Sequence, residues 1–413
     1  MHRIIVNTGL FFFVIFSSVS SFGQTNLNQS ISHQTQVSLV TCAPGTALFE
    51  AFGHTAIRIH DPVSGFDMAY NYGVFDFNQP NFYLNFAKGY LLYKLGTADF
   101  SRFLYQYAYF DRTVQEQVLN LTDDQKQAVF SFLQINSLPE NREYYYDYFF
   151  DNCATRPRDV FIKILGDSLQ FEYGYADTLN FTIRDLIDYY IEDRDQYAWG
   201  DLGIDLGLGA NIDRQATPFE YMYQPEFLFL AFAGGTVKNP DGSLRPLVAT
   251  TNILYQGTPQ SDVINVTFTP TIVLWLLLLF LIIATVFEYR RKKYSLRFFD
   301  IIFFSILGLF GLVVVFLWFF TNHTAAANNW NLLWGWPTHL VAAAMLLVKR
   351  SPGFLKFYYL LTALITGFLL FFWALIPQDL HDSLIPLLML IVLRSFTIAQ
   401  LKFTHEKPAV AKA

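Results

Sequence analysis

The residue with the clearest chemical potential in this sequence is Cys153, in the segment YYYDYFFDNCATRPRDVFIKILG. Asp151 or Asn152 is a good helix N-cap, and VFIKIL supplies an apolar helical face that ends at a glycine. At a helix N-terminus, unpaired N–H groups and the helix dipole favour a thiolate over a thiol. Arg156 and Arg158 follow directly and add positive charge. The segment therefore predicts a nucleophilic cysteine.

A nucleophilic cysteine needs a base, and the candidate is His54 in GHTAIRIHDPVSGFDMAYNYG. HTAIRIH has strand character, DPVSG forms a turn, and FDMAYNY can return as the paired strand. This hairpin places His54 opposite Asn71 or Tyr72, depending on the register. Asn71 is the first choice for the residue that holds the imidazole tautomer, and Asp76 is the second.

The other cysteine of this sequence, Cys42, has different surroundings. It lies in LVTCAPG, an apolar strand that runs into a Pro-Gly turn, with no helix start and no cation beside it. We therefore interpret it as a buried structural thiol. A Cys42–Cys153 disulfide remains the alternative, because two cysteines in an oxidising compartment suggest one bridge.

The composition divides the chain into an export signal, a mixed domain and an apolar part. Arg3, the apolar run Leu10–Phe16 and the small residues of SSVSSFG are typical of a signal peptide over residues 1–23, cleaved near Gly23. A retained N-terminal anchor is the alternative. Residues 24–265 are rich in Tyr, Phe, Asp and Asn, and they are long enough for one globular domain or two small ones.

Residues 266–402 have the composition of a transmembrane domain. Each apolar stretch there is long enough to cross a hydrocarbon core of about 30 Å. Three stretches are almost wholly apolar and two are interrupted by proline and by a charge or histidine: Thr271–Phe287, Ile301–Phe320 and Phe357–Ile376, then Trp330–Val348 and Leu380–Ala399. The sequence predicts about five crossings, with four or six as alternatives.

Charge sets the orientation of these crossings. The connections 290–297 and 349–356 and the tail 403–413 carry Lys or Arg, whereas the connections 321–329 and 377–382 carry neither. Basic connections stay in the cytoplasm. We therefore expect a multi-pass protein of the inner membrane, with residues 24–265 in the periplasm and a cytoplasmic C-terminus.

The balance of charge in residues 24–265 argues against one class of partner. They hold 15 Lys and Arg against 29 Asp and Glu, a formal charge of −14. Nucleic-acid affinity comes mainly from neutralised phosphates, so we expect no nucleic-acid partner.

Further motifs receive structural interpretations. His323 and His339 lack cysteines or paired carboxylates at metal spacing, so no metal or other cofactor is expected. WGDLGIDLGLG lacks the strand–turn–helix context of a nucleotide loop, and we interpret this stretch, with Gly203, Gly207 and Gly209, as a tight turn. Three tryptophans are assigned to an aromatic belt at the membrane boundary. These glycines and tryptophans are Gly203, Gly207, Gly209, Trp330, Trp334 and Trp336.

Four stretches of this sequence resemble the Lnb family of lipoprotein N-acyltransferases. They are LVTCAPGTALFEAFGHTAIRIHD, DNCATRPRD, WGDLGIDLGLGANIDR and NNWNLLWGWPTHL. The order of His before Cys is also similar to that of circularly permuted papain-like enzymes of the NlpC/P60 and lecithin:retinol acyltransferase (LRAT) type. The resemblance implies an α+β permuted papain-like domain followed by an all-α transmembrane bundle.

The resemblance also implies a reaction and its partners. Cys153 would take an acyl group from a phospholipid as a thioester, and a diacylated lipoprotein would accept it on its N-terminal amine. The predicted catalytic residues are Cys153, His54 and Asn71. The predicted substrate-binding residues are Arg156, Arg158, Tyr72 and Asp76. The backbone N–H of Cys153 would contribute to the oxyanion hole.

The remaining alternatives concern the substrate and the enzyme class. The aromatic runs NFYLNFAKGYLLYKL and FLYQYAYF could receive acyl chains of membrane lipids, or could form core elements. A membrane-anchored periplasmic thiol peptidase or amidase would use the same Cys153 and His54. A non-enzymatic receptor or assembly factor, with both cysteines in a disulfide, is the third reading.

Overall fold

The computed structural model describes residues 30–75, 79–192, 194–258, 267–348 and 351–403. Three of the predicted features lie outside these residues. They are the signal peptide, the side chain of Asp76 and all but the first residue of the cytoplasmic tail.

An antiparallel sheet forms the centre of the N-terminal domain. Within the described residues it has seven strands in the order β10-β5-β1-β2-β3-β4-β6, and a smaller sheet has the order β7-β8-β9. The strands are β1 (Gln36–Cys42), β2 (His54–Asp61), β3 (Phe66–Val74), β4 (Leu92–Asp99), β5 (Val114–Leu119), β6 (Glu143–Tyr145), β7 (Leu169–Gln170), β8 (Thr236–Lys238), β9 (Leu244–Pro246) and β10 (Val248–Tyr255).

Helices cover both faces of the large sheet, because its strands carry apolar side chains on both faces. The helices of this domain are α1 (Phe82–Lys88), α2 (Phe100–Tyr109), α3 (Asp123–Asn136), α4 (Thr155–Leu165), α5 (Asp185–Ile191), α6 (Ala198–Gly207), α7 (Pro218–Tyr221) and α8 (Pro225–Gly234). One face packs against α3, α4 and α8, and the other packs against α2. Side chains alternate between faces along a strand, so β2 and β3 each contribute to both cores.

Four helices among the described residues are long and apolar enough to cross a membrane. They are α9 (Pro270–Arg291), α10 (Arg297–Phe319), α12 (Phe354–Phe371) and α13 (Leu384–Thr397), which continues as a π-helical turn over Ile398–Lys402. The expected combination of an α+β domain and a helical membrane part is confirmed. These four helices correspond to four of the five predicted crossings.

The remaining predicted crossing, Trp330–Val348, is a broken segment. Its only α-helix in the described residues, α11 (Thr338–Leu346), has 9 residues. Such a helix spans about 14 Å, which is less than the hydrocarbon core. The segment nevertheless runs back along α10 from the middle of that helix to its start. Trp334 stacks on Phe310 at 4.9 Å, and Arg297 at the start of α10 donates to the Leu346 carbonyl at 2.6 Å.

A buried ion network accounts for the charged residue in the last crossing. Arg394 donates to both carboxylate oxygens of Asp300 and to Glu288, each at 2.7 Å. All three side chains have an exposed fraction of 1% or less. Charges inside a membrane domain are costly unless they are paired, so this network allows α9, α10 and α13 to carry them.

The glycine-rich stretch and the tryptophan-rich stretch pack against each other where the two parts of the chain meet. Gly209 N–H donates to the Ala325 carbonyl at 2.8 Å, and the Asn329 side chain donates to the Leu206 carbonyl at 2.9 Å. A Cβ atom at Gly209 would overlap the carbonyl oxygen of Ala327. These contacts join the N-terminal domain to the connection that follows α10.

The structure corrects two sequence-based interpretations here. Gly203 and Gly207 lie in helix α6 rather than in a tight turn, because tertiary contacts outweigh the weak helix propensity of glycine. Trp334 is only 2% exposed and stacks on Phe310, so it belongs to the helical core and not to a boundary belt. Trp330 and Trp336 are partly exposed.

Candidate active site

Cys153 occupies the turn that leads into α4, as the sequence predicts. Asn152 Oδ1 accepts hydrogen bonds from the N–H groups of Ala154 and Thr155 at 2.8 and 2.9 Å. The N–H of Arg156 donates to the Asn152 carbonyl at 3.1 Å, which extends the helical hydrogen bonding back to this residue. Asn152 is therefore the functional cap, and Cys153 lies in the first turn.

His54 is the first residue of β2, and its partner is Asn71 on β3. His54 Nε2 and Asn71 Oδ1 are 2.5 Å apart. An amide oxygen can only accept a hydrogen bond, so Nε2 carries the proton and Nδ1 keeps its lone pair. This is the tautomer that a general base requires, and Asn71 is the residue that fixes it.

The ends of β2 and β3 bring His54 close to Cys153. The backbone N–H of Thr55, the residue after His54, is close enough to hydrogen-bond the Cys153 sulfur. Gly73 lies on the same side, where an added Cβ would be 3.6 Å from the Cys153 Cβ. The side chains of His54 and Cys153 both line one cavity of about 490 Å³.

The environment keeps both reacting groups neutral at rest. Burial raises the pKa of the Cys153 thiol to about 11, although N–H groups of Thr55 and of Cys153 itself oppose the rise. Burial also lowers the pKa of His54 to about 4. The hydrogen bond with Asn71 acts in the opposite direction, and the nearby charge of Arg112 lowers the pKa further. The expectation of a resting thiolate is wrong, because desolvation outweighs the helix N-terminus.

The two arginines after Cys153 do not line this cavity. Arg156 forms a bidentate ion pair with Asp151, and Arg158 donates to Asp159 at 2.8 Å. Their charges are thus balanced locally along the start of α4. Neither arginine contributes to the shift in the pKa of Cys153.

The other predicted substrate-binding residues also fall elsewhere. Tyr72 is buried in the core on the opposite face of β3 from Asn71, and its hydroxyl donates to Asn136 at 2.5 Å. It does not line the cavity. Asp76 lies outside the described residues, so its role stays a prediction.

Further residues line the cavity around His54. Tyr107 on α2 stacks on His54, with ring centroids 6.3 Å apart. Arg112 lies over the ring of Tyr107, with its guanidinium carbon 4.8 Å from the ring centroid. The same guanidinium forms an ion pair with Glu50 at 3.1 Å. Tyr146 lines the same cavity. Tyr107 belongs to the aromatic run FLYQYAYF, which the sequence offered as a surface for acyl chains, and Tyr146 belongs to the segment of Cys153, whereas Arg112 was not singled out.

Cys42 is a free, buried thiol, as interpreted from its surroundings. It pairs across the strands with His54 and therefore lies on the same face, in the core between the sheet and α2. Gly53 is required here, because its φ is +76° and an added Cβ would lie 2.7 Å from the Cys42 carbonyl oxygen. The glycine before His54 thus allows β2 to start close against β1.

The described residues contain one group of side chains close enough to share a metal ion: Asp201, Asp205 and His381. It joins α6 to the connection before α13, a combination that sequence spacing did not reveal. His381 contacts Asp201 at 3.4 Å, and Asp205 forms an ion pair with Arg184. Both carboxylates of the cluster therefore have partners within the protein, and these contacts lie where the two parts of the chain meet.

These features define a thiol-centred α+β domain attached to a membrane-spanning helical part. Comparison with family models gives the more particular identity. The Lnb N-terminal periplasmic domain matches residues 22–189, and the Lnb transmembrane domain matches residues 261–406. The chain therefore belongs to the Lnb family and is a membrane protein with a periplasmic domain. Comparisons with curated proteins and with solved structures gave no match.

Proposed function

We propose that this protein is a lipoprotein N-acyltransferase of the inner membrane, with its C-terminus in the cytoplasm. The observation that carries the proposal is the cavity that holds Cys153 beside the oriented His54–Asn71 pair. Membership of the Lnb family supplies the substrate classes. The donor is a membrane phospholipid, and the acceptor is the N-terminal amine of a diacylglyceryl-cysteine lipoprotein.

The first step transfers the acyl group to the protein. The Cys153 sulfur attacks the ester carbonyl carbon of the phospholipid while His54 Nδ1 takes the thiol proton. The tetrahedral intermediate collapses, the C–O bond breaks, and the leaving alkoxide takes that proton from His54 as lysophospholipid. The N–H of Thr55 stabilises the sulfur as it gains negative charge. The N–H of Cys153 is a donor for the oxyanion.

The second step releases the acyl group to the acceptor. The neutral α-amine attacks the thioester carbonyl, His54 takes a proton from the amine, and the C–S bond breaks. The leaving thiolate recovers that proton, and an amide is formed. The catalytic groups therefore return to the neutral pair in which they began.

The test is acylation of the purified full-length protein in phospholipid vesicles without acceptor. We expect one fatty-acyl mass on the peptide that contains Cys153, removed by neutral hydroxylamine because thioesters are labile to it. Adding a diacylated lipopeptide should discharge that mass onto the peptide's N-terminal amine.

Three variants sharpen this test. Cys153→Ser and His54→Ala should each abolish transfer, and the double variant should be no worse, because residues of one catalytic unit are not additive. Cys42→Ser is the matched control and should keep acylating. Acylation on Cys42, or peptide-bond cleavage without acylation, would contradict the proposal.

A further inference from the structure

A second cavity lies between the periplasmic domain and the transmembrane part. It has a volume of about 380 Å³. Gly203, Ile204 and Gly207 of α6 line one side, and Leu317 near the end of α10 lines the other. Neither domain forms this space alone. We refer to it as the junction cavity.

The junction cavity adjoins the cavity of Cys153. Six residues line both: Phe52, Phe86, Leu91, Tyr146, Tyr148 and His323. The two cavities therefore lie side by side, with these mostly aromatic side chains between them, and the junction cavity extends to Leu317 of α10.

Two polar side chains at the wall of the junction cavity are hydrogen-bonded within the protein. Asp147 Oδ1 accepts from the N–H groups of Phe149 and Phe150 at 2.9 and 3.0 Å. His323 Nε2 is 3.0 Å from the Phe86 carbonyl oxygen. No Lys or Arg lines the cavity within the described part of the chain. These walls suit a hydrocarbon chain and offer no counter-charge for a phosphate headgroup.

Two glycines create much of this space. Gly203 and Gly207 are four residues apart, so they lie on the same face of α6. A Cβ atom added at either position would meet no heavy atom within 4 Å. A larger side chain there would project into open space and reduce the volume, without a backbone clash.

We propose that the junction cavity binds the donor acyl chain while its carbonyl carbon is joined to Cys153. This inference rests on the proposed acyl transfer and adds the site that measures acyl-chain length. The occupant is the acyl chain because the space adjoins the cavity of Cys153 on one side and is lined by Leu317 of the membrane helix α10 on the other.

The test uses Gly203→Leu and Gly207→Leu in the full-length protein. Wild type and variants are offered an equimolar mixture of decanoyl, myristoyl, palmitoyl and oleoyl phosphatidylethanolamines, and the acyl masses on the Cys153 peptide are measured. Each buried methylene is worth about fourfold in selectivity. We expect both variants to shift at least tenfold toward shorter chains, by losing room for several methylenes. Acylation by the decanoyl donor should stay close to wild type, which also shows that the variants are folded.

Gly174→Leu is the matched control, since a Cβ there also meets nothing within 4 Å and the residue does not line either cavity. Its chain-length profile should equal that of wild type. A phosphatidylethanolamine with a diazirine at the acyl terminus provides an independent measurement on wild type. Its label should fall on peptides containing Ile204 or Leu317.

The outcomes separate this inference from the proposed function. No acylation of wild type by any donor would refute the proposed function itself. An acylated wild type together with unchanged profiles in both variants, or with label outside the junction cavity, would refute only the inference. Normal acylation with lost transfer to the lipopeptide would place the acceptor's lipid in the cavity and overturn the assignment to the donor.

Discussion

Replacing Asn71 tests whether the orientation of His54 governs the first step. In Asn71→Ala the imidazole loses the acceptor that lies 2.5 Å from Nε2. A buried N–H without a partner costs about 1–3 kcal/mol, and ring orientations that satisfy it elsewhere turn Nδ1 away from the thiol. We therefore expect acylation of Cys153 to slow by about 10- to 100-fold. The assay is single-turnover formation of the acyl-enzyme from vesicle phospholipid, followed by mass spectrometry.

The pH profile of the same assay distinguishes an orienting role from a merely structural one. His54 acts as a base only when neutral, and its pKa is lowered to about 4, so wild-type acylation should fall only as the pH approaches about 4. In Asn71→Asp a carboxylate replaces the amide and stabilises the imidazolium. The pKa of His54 should then rise by about 1–3 units, and the acid limb of the rate should move upward with it.

Asn136→Ala is the control for loss of an asparagine, because its amide hydrogen-bonds Tyr72 and the Asn141 carbonyl away from the cavity. It should acylate at the wild-type rate. The reasoning is refuted if Asn71→Ala also acylates at that rate. It is equally refuted if the wild-type acid limb lies near the ordinary histidine value of about 6.5, since His54 would then not be desolvated.

Three further predictions concern the second step, the junction and the topology. The rate of acyl transfer from Cys153 to a lipopeptide should fall about tenfold per pH unit below about pH 8, because the acceptor amine must be neutral. The rate of Cys153 acylation should stay constant over that range, and rapid-quench measurements of each step check both rates. Gly209→Ala should destabilise the protein by about 1–3 kcal/mol through overlap with the Ala327 carbonyl, whereas Gly203→Ala should not, as thermal unfolding in detergent would show. A reporter fused at Ala413 should behave as cytoplasmic and one fused after Asn265 as exported, and a periplasmic C-terminus would contradict the proposed orientation.

The helix start around Cys153 was predictable because its signals are local. A capping asparagine, a proline in the first turn and an apolar helical face all lie within one short segment. The hairpin of β2 and β3 was predictable for the same reason, since DPVSG closes it and pairs Asp61 with Phe66. The choice between Asn71 and Tyr72 was harder. The strands pair Ile57 with Tyr70, a register that does not place Asn71 directly opposite His54, and Asn71 instead reaches His54 Nε2 through its side chain.

The protonation state of the site was not predictable from local sequence. The helix start and two nearby arginines argued for a thiolate, but those arginines pair with Asp151 and Asp159. Burial raises the pKa of Cys153, and the residues that line its cavity include Phe86, Tyr107 and Arg112, which come from elements distant in the chain. Long-range packing of this kind leaves no spacing pattern in the chain.

The role of the glycine-rich stretch was missed for a related reason. In isolation Gly203, Gly207 and Gly209 indicate a turn, since glycine is a poor helix former. In the folded chain the first two line the junction cavity, and the third allows the close approach to Ala327. Gly209 is explained by a partner more than a hundred residues away, and the cavity that Gly203 and Gly207 line is bounded by Leu317, which is equally distant in the chain.

Burial of the reacting pair also bears on the choice between acyl transfer and peptide hydrolysis. A thiol hydrolase must admit water to its acyl-enzyme, whereas a transferase must keep water away until the amine arrives. The apolar side chains that line the cavity, such as Phe52, Phe86 and Leu91, would limit the access of water to a thioester on Cys153. A resting thiolate would gain reactivity, but the polar surroundings needed to stabilise it would also bring water to the intermediate. The neutral pair therefore fits a site that holds an acyl group for a lipid acceptor and activates its nucleophile only when the ester carbonyl is in place.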